Sequence, residues 1–350
     1  MILRRRTNRD LPEEIMLVIL TRLPVKSLLR FRCICKSWYS SIANPNFIST
    51  HFNNNHHDAY TQARVPNVSF FHSHSHEVCT LASNRTFETI FEFRIPFTFH
   101  SSFPRILGSC NGILCFSDFF MSACNDIYLL NPRPNIRKFK RLPDTCLTQL
   151  SNLAHGFGYD SLNNDYEVVR ISLTRAEPML PPEAEVYSLS SDSWKRIGVG
   201  FSWRPIDFRS LRFNNYLTFP FVSEQVHWLI ELVKEGNGQD GRCTDMILSF
   251  DVNSEQFKVL PLPDEGSCTM KCLMSFKEKL ALFKFDIRLS FSICNIWVMR
   301  EYGVFDSWNK LYVVPVQSFF NIIGFTKYGL LLIRNMPSLV STNSELERMF

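Results

Sequence analysis

The chain has 350 residues, of which 45% are hydrophobic and 20% charged, which is too apolar and too weakly charged for disorder and long enough for about two domains. Its formal charge of +5 and pI of 8.6 stay below the level of about 9 that marks a nucleic-acid footprint. No apolar run reaches the roughly 18 residues of a membrane span, and Met1 to Asp10 has no apolar signal core, so the expected location is cytoplasmic or nuclear.

The first 50 or so residues have helical periodicity. Asp10 reads as an N-cap, with Pro12 early in the first turn and Glu13 completing a capping box. Ile15, Met16, Ile19, Leu20 and Leu23 then follow at helical spacing, and Pro24 ends the helix. A second short helix is expected from Lys26 to Arg32, and a third carries Cys35, Trp38, Tyr39 and Ile42. Asn44-Pro45-Asn46 reads as a turn, and Phe47 to Phe52 as one last helical turn. So few short helices cannot bury all these apolar side chains among themselves, so part of that surface is expected to meet a partner. The stretch 53–65 is polar and reads as a linker.

After it, the period changes. With 32 Phe against 13 Gly, the remainder is expected to be mainly β. A loose unit of short strands recurs: Gly112–Phe116, Asp126–Leu130, Phe139–Pro143; then Glu224–Ile230, Met246–Phe250, Phe257–Pro261; then Lys279–Phe283, Asn295–Met299, Trp308–Tyr312. A fainter copy runs through Tyr166–Arg170, Glu185–Leu189 and Ser193–Arg196, and Tyr328–Ile333 opens another. Repeats of about 40 to 50 residues built from short strands indicate propeller blades, and about six would fit. A β-sandwich would need fewer, longer strands without this order. The tail beyond Ile333 is expected to lack a second and third strand, so that either Pro66 to His72 completes the ring or the propeller stays open.

The eleven Cys are odd in number and irregular in spacing, with no CxxC, and read as reduced thiols, mostly buried. Gly108-Ser109-Cys110-Asn111-Gly112 fits G-x-C-x-G, but a nucleophile elbow needs a helix after it, whereas Asn111-Gly112 followed by an apolar strand reads as a hairpin. His72, His74 and His76 alternate near Cys79 as a conceivable zinc set; a solvated Ser-rich turn is the simpler reading. Arg4-Arg5-Arg6 reads as a solvated terminus, and Asp160, Asp192, Asp251 and Asp264 as turn residues, with no carboxylate pair or phosphate loop.

The run from Leu11-Pro12-Glu13-Glu14-Ile15 through Leu23-Pro24-Val25-Lys26-Ser27-Leu28 to Phe31-Arg32-Cys33-Ile34-Cys35-Lys36-Ser37-Trp38 resembles an F-box. Gly108–Cys115 and Asn131-Pro132 resemble the F-box-associated, kelch-like repeats of plant F-box proteins, a layout shared by S-locus and defence-regulating members. The resemblance implies an α+β multidomain protein: an F-box at 10–52, a linker at 53–65 and a mainly-β, propeller-like substrate-recognition domain at 66–350. It implies adaptor contacts at Leu11, Pro12, Ile15, Ile19, Leu20, Leu23, Pro24, Leu28, Phe31, Cys35 and Trp38, although Leu28, Phe31 and Trp38 equally suit the domain's own core. The expected partners are a Skp-type adaptor, a cullin/RING scaffold reached through it, and a protein substrate; no nucleic acid, membrane, cofactor or catalysis is expected. The alternatives are an F-box-tethered scaffold without substrate turnover, and a propeller enzyme or lectin, for which no polar constellation speaks.

Overall fold

The computed structural model describes residues 12–23, 25–54, 66–69, 78–82, 89–100, 105–120, 124–132, 138–148, 153–173, 181–200, 205–208, 219–233, 243–263, 270–287, 292–316, 322–325, 329, 331–334 and 339–341. The chain divides into two compact units, Met1–Gln62 and Ala63–Phe350.

The first unit holds four helices: α1 (Glu13–Leu20), α2 (Val25–Phe31), α3 (Lys36–Ala43) and α4 (Pro45–Asn54). Helix α1 starts later than the capping-box pattern suggests, with an extended Pro12 at the N-cap and no side-chain cap. Proline has no side-chain acceptor to offer the first N–H groups, and the expected cap at Asp10 lies outside the described residues. Asn44-Pro45-Asn46 is not a turn between helices but the start of α4. The Asn44 side chain accepts the Asn46 N–H at 2.8 Å, and Pro45 occupies the first helical position, where a missing N–H is harmless. Helix α4 therefore runs to Asn54 and takes in the first two residues of the expected linker; 55–65 lie outside the described residues. Leu20, Leu28, Ile42 and Phe47 form the core of this unit, and the buried His51 Nε2 lies 2.7 Å from the Leu23 carbonyl, tying α4 to the end of α1.

The second unit is a succession of six antiparallel sheets in chain order. The first is β1 (Pro66–Ser69), β2 (Val78–Ala82) and β3 (Thr89–Arg94). The next two are β4 (Arg105–Cys110), β5 (Ile113–Phe120), β6 (Cys124–Leu130), β7 (Phe139–Arg141), and β8 (Leu153–Asp160), β9 (Asp165–Ser172), β10 (Glu183–Ser188), β11 (Ser193–Ile197). In the fourth, β12 (Pro205–Phe208) and β13 (Phe221–Val222) share one edge of β14 (Gln225–Val233), followed by β15 (Cys243–Asp251) and β16 (Gln256–Pro261). The fifth is β17 (Met270–Phe276), β18 (Lys279–Ile287), β19 (Ser292–Met299) and β20 (Trp308–Val316); the sixth is β21 (Ile322–Phe325), β22 (Leu331–Arg334) and β23 (Leu339–Ser341). Four sheets of four or five strands are thus flanked by two of three.

The repeat read from the sequence corresponds to the last three strands of each of the four central sheets. Beyond Ile333 the tail carries β23, paired with β22, so the second strand it was expected to lack is present, whereas a third does not occur among the described residues; β1 pairs β2 in the first sheet rather than completing the last. Asn111 and Gly112, at φ 49° and 79°, turn β4 into β5 as a hairpin; no helix follows Cys110.

Alternation along each strand explains the stacking. On β5, Leu114 and Phe116 face the first sheet, where Phe93 and Ile95 meet them, while Cys115 faces the third, with Phe157, Val168 and Tyr187. Val169, Ile171, Ala184 and Val186 of the third sheet pack on Val226, Trp228, Leu248 and Phe250 of the fourth. Leu229 and Ile247 then meet Leu280 and Leu282, and the opposite face of the fifth sheet, with Phe283 and Phe285, packs on Phe325 of the sixth. Each of the four central sheets is buried on both faces because its two alternating sets of side chains serve two neighbours. Strand β4 lies beside β8, β8 beside β14, β14 beside β17 and β17 beside β21. At one such seam, a Cβ on Gly156 would sit 2.5 Å from Val226 Cγ1, and one on Gly158 2.7 Å from the Phe221 ring, so β8 can approach β14 only with glycine at these positions.

Of the seven cysteines whose side chains the structure describes, all free, Cys115, Cys272 and Cys294 are buried, whereas Cys33, Cys35 and Cys146 are exposed and Cys110 lies between. Burial is thus less general than expected. His72, His74 and His76 lie outside the described residues, and no group of three metal-ligating side chains occurs among the described ones. No described helix is long and apolar enough to cross a membrane.

Candidate functional site

Helix α1, with sequence EEIMLVIL, is apolar from Ile15 to Leu20 and so has two apolar faces. One face packs inward: Leu20 is buried, and Met16 and Leu17 are half-buried against Leu28, Ile42 and Phe47. The other, spaced at i, i+3 and i+4, is Ile15, Val18 and Ile19, exposed to 49%, 54% and 46%. A helix apolar all round belongs in a core, and this one has core on one side only.

The other helices repeat the division. Phe31 and Trp38 meet edge to face at 5.2 Å and pack on the core with Leu23. Leu29 on α2, Ile34 in the α2–α3 junction, Tyr39 on α3 and Ile48 on α4 are exposed, and the Arg32 guanidinium lies over the Tyr39 ring at 4.7 Å. Cys35 is the N-cap of α3, where its sulfur accepts the Trp38 N–H at 3.5 Å.

Among the residues singled out from the sequence, Pro12, Ile15, Ile19 and Cys35 are exposed; Leu20 and Leu28 close the core; Leu23, Phe31 and Trp38 are half-buried; Leu11 and Pro24 lie outside the described residues. Val18, Leu29, Ile34, Tyr39 and Ile48 were missed. The signal for Val18 was present, because six consecutive apolar residues cannot all sit on one stripe.

In the second unit, polar anchors hold the turns. Asp160 accepts the N–H groups of Leu162 and Asn163, and Asp165 those of Tyr166 and Ser190 together with the Ser188 hydroxyl. Ser161 donates to Glu224 at 2.6 Å and Lys195 pairs with Glu255 at 2.6 Å, bridging the turns of the third and fourth sheets. Beneath them, Glu167 Oε2 is buried without a partner, and burial, reinforced by Glu255, Asp160 and Asp165, pushes its carboxyl up to about 8. In the same sheet Arg170 pairs with Glu185 at 2.8 Å, both buried, and Glu185 also takes the Thr145 hydroxyl and the Cys146 N–H, fastening the connection from β7 to β8. These groups support turns and seams.

Compared with known proteins, residues 9–50 match the F-box domain and residues 69–347 the F-box associated beta propeller domain. The chain belongs to the F-box proteins. An F-box/kelch-repeat protein of Arabidopsis thaliana is 27% identical over 321 residues, covering 87% of this chain and 80% of its own. F-box protein CPR1 of the same plant is 25% identical over 327 residues, covering 87% of this chain and 73% of its own. Among solved structures, YjhT aligns over 63% of this F-box protein and 67% of its own chain at 12% identity, with a TM-score of 0.40. The F-box match covers α1, α2 and α3 and reaches into α4, so the bare face of α1 belongs to the F-box.

Proposed function

We propose that this F-box protein is the substrate-recognition subunit of an SCF-type ubiquitin ligase, docking a Skp-type adaptor through its helices and a protein substrate through its propeller. An SCF substrate-adaptor role in general is what an F-box joined to a propeller supports. The observation that carries the finer reading is the exposed Ile15, Val18 and Ile19 face on a helix whose other face already closes the core. Fully burying an aliphatic side chain of this size contributes about 1.5–3 kcal/mol, and covering the exposed half of each about 1 kcal/mol, so the three together form an anchor. The chain itself performs no chemistry. It holds a substrate lysine near the charged ubiquitin carrier and raises the effective concentration of the two.

The test is calorimetry of the full-length protein with a purified Skp-type adaptor. Val18→Asp places a charge on the bare face without touching Leu20 or Leu28, and it is expected to weaken binding by roughly a hundredfold, about 2.7 kcal/mol. Unchanged affinity in this variant, or no binding by the wild type, refutes the docking reading. Substrate turnover is tested separately: proteins captured by the propeller should accumulate when the proteasome is inhibited. If they do not, the protein is a tethered scaffold.

A further inference from the structure

Between the second and third sheets, strand register sets the side chains in layers. One layer is apolar: Val168 pairs with both Phe157 and Tyr187, Cys115 pairs with Gly108, and a Cβ on Gly108 would meet Phe157 at 3.5 Å. Two residues away on each strand, on the same faces and away from the hairpin turns, the next layer is polar. It holds Ser117 on β5 with Arg105 opposite it on β4, then His155 on β8 paired with Arg170 on β9, which pairs with Glu185 on β10. A buried donor in such a seam needs an acceptor. Arg170 has one in Glu185 at 2.8 Å. Ser117 Oγ and His155 Nε2 have none, although these residues are only 1% and 3% exposed. Burial, then the guanidiniums of Arg170 and Arg105, hold the His155 imidazole well below its ordinary range, so the ring is neutral and has one N–H to give. Two unanswered donors thus share a layer that contains two guanidiniums and one carboxylate.

We propose that this layer binds a halide ion, chloride in ordinary buffers, which accepts the Ser117 hydroxyl and the His155 Nε2–H and so ties the second sheet to the third. A negative acceptor suits the two guanidiniums that flank His155. Water suits the place less well, because it brings two hydrogens of its own. The carboxylate of the layer, Glu185, already accepts Arg170, the Thr145 hydroxyl and the Cys146 N–H, and a guanidinium accepts nothing. A larger oxyanion would press surplus oxygens against the buried Phe157 and Val168. The halide takes both donors on one atom. Bound only by the folded seam, it stabilises the propeller in proportion to its concentration, independently of what the F-box docks.

The experiment follows urea unfolding of the full-length protein while chloride replaces gluconate at constant ionic strength. Above the dissociation constant, each tenfold rise in chloride is expected to multiply the folding constant about tenfold, with bromide acting likewise. Ser117→Ala removes one donor and should move the onset of this response to at least about tenfold higher chloride, read within that variant whatever its basal stability. Ser249→Ala, which alters a hydroxyl already donating to the Lys258 carbonyl at 3.3 Å, should keep the wild-type onset. Crystals of the wild type soaked in bromide should show its anomalous signal within hydrogen-bond reach of Ser117 Oγ and His155 Nε2. Equal stability in gluconate and chloride, the same onset in wild type and Ser117→Ala, or bromide absent from this layer overturns the proposal. If Ser117→Ala does not fold, the bromide position in the wild type decides.

Discussion

Gly156→Ala is the sharpest test of the seam between the third and fourth sheets. The new methyl would lie 2.5 Å from Val226 Cγ1 and 2.8 Å from Trp228 Cζ2, about 1 Å inside ordinary contact with each. Neither neighbour has room to yield: Val226 and Trp228 are 1% and 0% exposed, and the indole is pinned by its Nε1–H donated to the His155 carbonyl at 2.8 Å. Overpacking of a dense core costs about 1–3 kcal/mol, and two immobile partners put this substitution at about 3 kcal/mol. Two glycines serve as internal controls. A Cβ on Gly108 meets Phe157 at an ordinary 3.5 Å and one on Gly198 meets nothing within 4 Å, so both Ala variants should lie within about 1 kcal/mol of wild type. The assay is urea unfolding followed by the β-sheet dichroism, with the midpoint and slope of the propeller transition read for each variant. The added substitution Val226→Ala should return part of the loss, because it removes the atom struck at 2.5 Å. If Gly156→Ala unfolds at the same urea concentration as Gly198→Ala, the stacking described for β8 and β14 is wrong.

Other perturbations address the buried polar groups. Arg170→Met strands Glu185 in the interior and should cost about 3–5 kcal/mol, while Arg170→Met with Glu185→Leu should cost clearly less; equal losses in urea unfolding would mean that the pair is not buried as described. Burial holds the His227 imidazole at about 4, below its ordinary range, with Nε2 at 2.7 Å from the Tyr302 hydroxyl. Between pH 6.5 and 4 the unfolded chain takes up this proton and the folded chain does not, so about 3 kcal/mol of stability is lost as pH falls through that window; His227→Gln should flatten the profile there, and an unchanged slope refutes the assignment. Glu167 has the opposite sign. With its folded carboxyl raised to about 8, stability declines as pH rises from about 4.5 to 8, and Glu167→Gln should stabilise the protein at pH 8 by about 1–2 kcal/mol while matching wild type near pH 4. Equal stability of the two at pH 8 counts against a buried, unpartnered Glu167.

The sequence disclosed those elements whose pattern is set by their own residues. Met246–Phe250 and Asn295–Met299 announce strands because aromatic and β-branched residues crowd them, and they fall within β15 and β19. Strand β8 was not visible, because Gly156 and Gly158 read as breakers until the proximity of Val226 and Phe221 explains them. The same holds for Asn44-Pro45-Asn46, whose residues suit a turn and a helix start equally, so that only the run of chain after them decides. On the helices of the first unit, the apolar residues were legible but their division was not. Periodicity placed Ile15, Ile19 and Leu20 on one stripe, and only the packing of α1 on Ile42 and Phe47 separates Leu20 from the bare face that Val18 completes.

The two-sided burial of every central sheet limits where this architecture can be altered. A residue on β5, β9 or β14 touches the blade before it or the blade after it, so a strand cannot be exchanged without refitting an adjoining one. Single exposed positions at the hairpin tips escape this, as Leu162 does at 76% exposure between β8 and β9, next to a Ser161 that is tied to Glu224. New partner preferences can therefore be written into such positions by residue changes that leave these bridges and the stack beneath as they are.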